Sequence, residues 1–206
     1  MEDKEKIIES ARSRFIKEGF YKTSMDELAK ELSMSKKTIY KYYPSKEKLI
    51  EAVVEELMHN ISGKMDQILS KDESSVMKIA EMLRLLGSIS ISMGDRWIGD
   101  IKLHTPHLWK RIETFRAQKM NSNFKKIIEQ GKKEGLFHDK PIEIVMTIFI
   151  ASVGAVVTPD FLLHNNYSFK DAVEITFDTL LNGILTDKGS RQFYNLRKKQ
   201  NLEQTI

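Results

Sequence analysis

The 206-residue sequence predicts an all-α fold of about nine helices. Three observations predict it. Only four prolines and ten glycines interrupt the chain, which leaves long segments free to form helices. Apolar residues recur at three- and four-residue spacing through those segments, so they share one helical face. Ser and Thr caps and Gly or Pro breakers sit at the segment ends. Hydrophobic residues make up 41% and charged residues 30%, a soluble composition able to form one large core or two smaller ones.

Residues 4–18 form an amphipathic helix with Ile7, Ile8, Ala11 and Phe15 inward and Gly19 as its stop. Ser24 followed by Glu27 is a capping box. It opens a short helix whose inner face is Met25, Leu28, Ala29 and Leu32. Ser33-Met34 is a tight turn. Ser35 caps a third helix from Lys36 to about Tyr43, which Pro44 ends because a residue before proline avoids the helical region. Ser45 caps a long fourth helix over 45–69, with Leu49, Val53, Leu57, Ile61, Met65 and Ile68 in one stripe. Its 25 or so residues rise about 37 Å, enough to run from one domain into the next.

Ser74 to Met93 is the fifth helix. Its end, Gly87 to Met93, alternates with period two as a strand would, but no second strand is available to pair with it. Ile79, Leu83, Leu86, Ile89 and Met93 also continue the helical stripe. A short helix over 96–103 follows. Thr105-Pro106 is a cap and first-position pair for a helix to about Lys133, with Gly135 beyond. Pro141 opens a helix containing fifteen uncharged residues, Ile144–Thr158. That run falls short of the roughly 20 needed to cross a bilayer, so it is expected to be buried in protein. The ninth helix, 169–186, carries Val173, Phe177, Leu180, Leu181 and Ile184. The tail 188–206 has no helix assigned, though Phe193 and Leu196 offer docking points.

The net charge of +4 is unevenly spread. Residues 1–50 hold 12 basic and 9 acidic groups, 51–187 hold 16 and 19, and 188–206 hold 5 and 1. Lys36, Lys37, Lys41, Lys46 and Lys48 cluster beside a single acid, Glu47. A local basic patch on a nearly neutral chain suits a polyanion. The absence of cysteine excludes disulfides, thiolate–metal sites and a thiol nucleophile. Together with a charged start that lacks a signal-peptide core, it predicts a cytoplasmic protein with no membrane association.

Two short helices joined by a tight turn, with a third helix ahead of them, form the helix-turn-helix arrangement. Leu28, Ala29 and Leu32 supply the support helix's apolar face. Ile39 and Tyr43 anchor the reading helix. Lys36, Lys37, Thr38, Tyr40, Lys41 and Tyr42 face outward, and their ammonium and hydroxyl groups suit phosphates and base edges. The helix starts at Ser24, Ser35 and Ser45 add free amides for phosphate.

Residues 24–57, SMDELAKELSMSKKTIYKYYPSKEKLIEAVVEEL, resemble the DNA-binding signature of the TetR family of bacterial repressors. The matching pieces are Gly19-Phe20, Thr23-Ser24, Leu28-Ala29, Ser35-Lys36, Thr38-Ile39-Tyr40, Tyr42-Tyr43 and Ser45-Lys46-Glu47. The resemblance implies a homodimer on a palindromic double-stranded operator, released by a small-molecule effector in the C-terminal domain. By position, Lys36, Thr38 and Tyr40 would touch bases or nearby phosphates, and Thr23, Tyr42 and Lys46 would hold the backbone. Two positions depart from the family pattern. Ser33 stands where Gly is usual, so either a left-handed serine costs on the order of 1 kcal/mol or the turn differs slightly. Lys37 stands where a small residue is common, adding phosphate affinity more than sequence selectivity.

The expected division is a DNA-binding domain at 1–48 and an effector-binding and dimerisation domain at 49–206. Ile148, Ala151, Ala155, Phe177, Leu181 and Ile184 are expected at a four-helix dimer interface. The effector, apolar or aromatic, would meet some of Met93, Trp97, His104, Trp109, Phe115, Phe149 and Phe161, with Met82, Leu86 and His164 as further candidates. His104 and His107 have metal-like spacing, but a helix starts between them and no third ligand lies nearby in sequence. No metal, cofactor or enzymatic constellation is therefore expected. The alternative function is an effector-independent regulator or an activator.

Overall fold

A computed structural model describes residues 3–92 and 95–203. Met93, a candidate pocket residue, lies outside the described residues. The described residues form eleven helices and no strand. These are α1 (Asp3–Glu18), α2 (Met25–Glu31), α3 (Lys36–Tyr42), α4 (Lys46–Ser70), α5 (Ser75–Ser92), α6 (Asp95–His104), α7 (Pro106–Lys133), α8 (Ile142–Val156), α9 (Pro159–Asn165), α10 (Phe169–Asn182) and α11 (Asp187–Glu203). The period-two stretch after Gly87 is helical through Ser92. Two helices go beyond the nine expected. α9 starts where Thr158 caps the amide of Phe161 and Pro159 sets the first turn. α11 makes the basic tail helical. It docks through the buried Phe193, and Arg197 pairs with Asp178 and, at 3.6 Å, with Glu174.

The chain divides into two compact units. The first takes in Met1–Ile61 and Ser92–Phe115, the second Ser62–Ile91 and Arg116–Ile206. In the first unit, Ile7, Ala11 and Phe15 of α1 join Leu28, Ile39, Leu49 and Val53 in a core that also holds Trp97, Ile101 and Leu108. The Phe15 ring stacks on Trp97 at 6.0 Å, and Phe20 meets Trp97 edge-on at 5.7 Å. Gly19 makes the close turn between α1 and α2. It has φ +83°, and a Cβ there would lie 2.6 Å from Asp100 Oδ2, the atom that accepts the Tyr21 amide at 2.8 Å. Glycine alone meets both constraints.

In the second unit, Phe124, Phe149 and Phe177 form a buried aromatic cluster, with centroids 5.3–6.1 Å apart. The chain leaving α7 is pinned to the end of α10. His138 donates to the Ile184 carbonyl at 2.8 Å, and the Thr186 amide donates to Leu136 at 3.0 Å. α8 buries Val145, Met146, Phe149 and Val153. Its opposite face, with Ile144 59% and Ile148 50% exposed, is open, as are Ala151 and Ala155. The uncharged run is thus buried along one face only. Among the described residues no helix is long and apolar enough to cross a membrane.

Candidate nucleic-acid interface

The reading helix is positioned by its neighbours. α3 has seven residues, too few to be stable alone. What holds it is the fully buried Ile39 and the buried Tyr43 at its end. The preceding turn is a Schellman motif. Met34 donates to the Ala29 carbonyl at 2.9 Å and Ser33 to Lys30 at 3.2 Å, with Ser33 left-handed at φ 52°. Of the two outcomes that the family resemblance left open at Ser33, the turn takes the left-handed serine. α2 opens with the expected capping box: Ser24 Oγ accepts the Glu27 amide at 3.2 Å, and Glu27 accepts the Ser24 amide at 2.7 Å. Those bonds from Ser24 hold the Glu27 carboxyl below its ordinary value.

The anchored helix shows a polar face outward. Ser35, Lys36, Lys37, Tyr40 and Lys41 are exposed, and Thr38 and Tyr42 are half-buried. Ser35 Oγ accepts the Thr38 amide at 3.0 Å and lies 2.8 Å from the Thr38 hydroxyl. Lys36 pairs with Asp26, both more than half exposed, so the bond is weak and exchangeable. Lys41 lies 5.8 Å over the Tyr42 ring. At the start of α4, Lys46 donates to the Tyr21 carbonyl at 3.1 Å. Burial lowers its ammonium's pKa, against the opposite pull of Asp100 and Glu27. Ser45 caps α4 through the Lys48 amide at 3.1 Å.

The structure departs from several sequence-based placements. Thr23 is buried, and its hydroxyl donates to the Gly19 carbonyl at 2.8 Å; it closes the turn and turns no hydroxyl outward. Thr105 precedes α7, but its hydroxyl donates back to Ile101 at 3.0 Å. The candidate pocket residues do not share one place. Trp97 is core in the first unit and Trp109 packs against that core. His104 is exposed and stacks on Tyr21 at 4.0 Å. Phe149 belongs to the buried aromatic cluster of the second unit, while Phe115 and Phe161 are half-buried. An open cleft of about 480 Å³ in the second unit is lined instead by polar groups, among them Glu73, Gln130, Glu134, Lys188 and Gln192. Phe177, Leu181 and Ile184 are buried within their own unit, Phe177 against Phe124 of α7 and Phe149 of α8. The residue that sequence reasoning missed is Tyr21, whose amide donates to Asp100 and joins the α1–α2 turn to α6. The visible signal was the exposed aromatic beside Phe20.

Comparisons with known proteins agree with this geometry. Residues 7–53 match the profile of bacterial regulatory proteins of the tetR family. The chain is 26% identical over 178 residues to the uncharacterized HTH-type transcriptional regulator YvaF of Bacillus subtilis (strain 168), covering 85% of this chain and 92% of that protein. Its fold matches the crystal structure of a transcriptional regulator from Cytophaga hutchinsonii ATCC 33406. The TM-score there is 0.71 at 21% identity, over 88% of this chain and 98% of the other. The SmeT–triclosan complex matches with a TM-score of 0.63 at 12% identity, over 89% and 92%. On the segment that carries α1 to α3 and the start of α4, the chain matches the tetR family of bacterial regulatory proteins, and over most of its length it is similar to a helix-turn-helix transcriptional regulator.

Proposed function

We propose that the protein is a homodimeric repressor that binds a palindromic operator and is released by a small apolar or aromatic effector. The observation that carries this reading is α3 itself. It is a seven-residue helix held by Ile39 and Tyr43 that turns Lys36, Lys37, Tyr40 and Lys41 outward. Lys36, Thr38 and Tyr40 read bases or adjacent phosphates. Lys37, Tyr42, Lys46 and the capped starts at Ser24 and Ser35 hold the backbone. Residues 1–48 are the DNA-binding domain, and 49–206 hold the effector and the second subunit.

The dimer surface is the open face of α8 and α10. Ile144, Ile148, Ala151 and Ala155 fall on one stripe of α8, and Ile175 of α10 is 58% exposed. Apolar side chains left open on two packed helices are the pattern a two-fold partner covers. The effector reading draws on a fold neighbour bound to triclosan. Phe161, half-buried in the second unit, is the remaining aromatic candidate there. Release requires that the effector bind the DNA-competent state less tightly than the other.

The test is fluorescence anisotropy on DNA from the gene's own promoter, across a salt series. Tyr40→Ala and Lys46→Ala should each weaken binding without changing the oligomeric state. Lys46→Ala should also reduce the salt slope by about one. Unchanged affinity in both variants would overturn the site assignment. Equal operator affinity at a saturating effector would overturn the release step.

A further inference from the structure

We propose that Glu47, Glu51 and His107 form a binding site for a divalent first-row transition metal ion. Glu47 and Glu51 lie one turn apart at the start of α4, and His107 lies in the first turn of α7, within the same compact unit. His107 Nε2 stands 3.7 Å from Glu47 Oε1 and 3.8 Å from Glu51 Oε1. One ligand atom from each of the three residues lies within 4.8 Å of the others. Ligands around a tetrahedral zinc at 2.0–2.2 Å stand about 3.3–3.5 Å apart. The two histidine–carboxylate separations exceed that spacing by only a few tenths of an ångström, and side chains as exposed as Glu47 and His107 are free to adjust.

The chemistry favours a cation. Two carboxylates at i and i+4 repel one another on a helix, and an ion between them removes that repulsion. Lys48 already offsets part of the charge, bonding Glu51 Oε2 at 2.7 Å. It leaves Oε1 to face His107. Arg111 is engaged by Glu55 at 2.7 Å. The starts of α4 and α7 oppose a cation with about half a unit charge each, less than two full carboxylates supply. Imidazole with carboxylates suits zinc, cobalt, nickel or manganese, and the cysteine-free chain offers no thiolate for softer ions. The two histidines of the 104–107 pair therefore part ways. His104 stacks on Tyr21, while His107 meets acids 56 and 60 residues upstream.

The experiment uses the untagged full chain, stripped with chelator and titrated with Zn²⁺ and Co²⁺ by calorimetry. One saturable ion per chain is expected, with the melting temperature rising by roughly 5 °C at a hundredfold excess over Kd. His107→Ala and Glu47→Gln should each weaken binding at least tenfold, and His104→Ala should leave it unchanged. No saturable binding, or binding that survives both His107→Ala and Glu47→Gln, overturns the proposal. Loss of binding in His104→Ala also overturns the assignment. None of these readouts involves DNA, so they are separate from the test of the repressor reading.

Discussion

Ser33 holds a backbone conformation that costs most L-residues about 1–2 kcal/mol. It does so because the Schellman motif between α2 and α3 requires a left-handed residue at that point. A glycine there loses the strain but gains freedom in the unfolded chain, worth about 0.4–1 kcal/mol in the opposite direction. Ser33→Gly should therefore raise the melting temperature only slightly, by about 1–2 °C. Ser33→Val, β-branched at positive φ, should lower it by more. Thermal melts of the two variants check this; a fall in Ser33→Gly would show that the serine side chain supplies something the turn geometry does not. The same residue-level logic separates Thr23 from Tyr40. Both are polar residues near the reading helix, but Thr23 is spent on the Gly19 carbonyl and Tyr40 is 42% exposed.

Among the elements, α7 shows helix propensity and packing pulling in opposite directions. Gly131 lies inside α7, where alanine would improve helix propensity by about 1 kcal/mol. A Cβ at that site, however, would stand 1.7 Å from Phe137 Cδ2 and 2.8 Å from Ser75 Oγ. Overpacking of that kind costs typically 1–3 kcal/mol, and Phe137 is buried and pinned beside the α10 terminus. Packing wins: Gly131→Ala should destabilise by about 1–2 kcal/mol in urea unfolding. Gly63 in α4 is the internal control, with nothing within 4 Å of an added Cβ. Gly63→Ala should stabilise by up to about 1 kcal/mol. Opposite signs are the expected result; equal shifts would mean that α7 gives way around Phe137. The turn that needs Gly131 is held further by Glu134. Burial raises that carboxyl, but bonds from Ser75 and Gln130 outweigh burial and lower it.

For the whole molecule, the open faces of α8 and α10 are the dimer surface proposed above. Ile144, Ile148 and Ile175 are each half exposed or more on these two packed helices. Ile148→Glu combined with Ile175→Glu should yield a monomer in sedimentation velocity. The double variant should keep the helical circular dichroism of the parent, since neither side chain is in the core. It should bind a palindromic operator far more weakly, because two linked heads bind with a higher effective concentration than one. A double variant that remains dimeric would move the interface elsewhere.

Much of this protein was legible in the residue order because much of it is local. Caps at Ser24, Ser35 and Ser45, the stop at Gly19, the Ser33 turn and the lysine-rich outward face of α3 follow from neighbours within a few positions. Local backbone hydrogen bonding and helical periodicity determine them. The tertiary structure decided what depends on distant partners. It put Trp97 in a core with Phe15, closed the tail into α11 against Asp178, and turned Phe177 and Leu181 inward while leaving Ile148 and Ile175 outward. It also brought His107 to Glu47 and Glu51. Periodicity tells that a helix has an apolar face, but not what that face meets. Partners many residues apart in sequence are chosen by packing the whole chain, which no local pattern records.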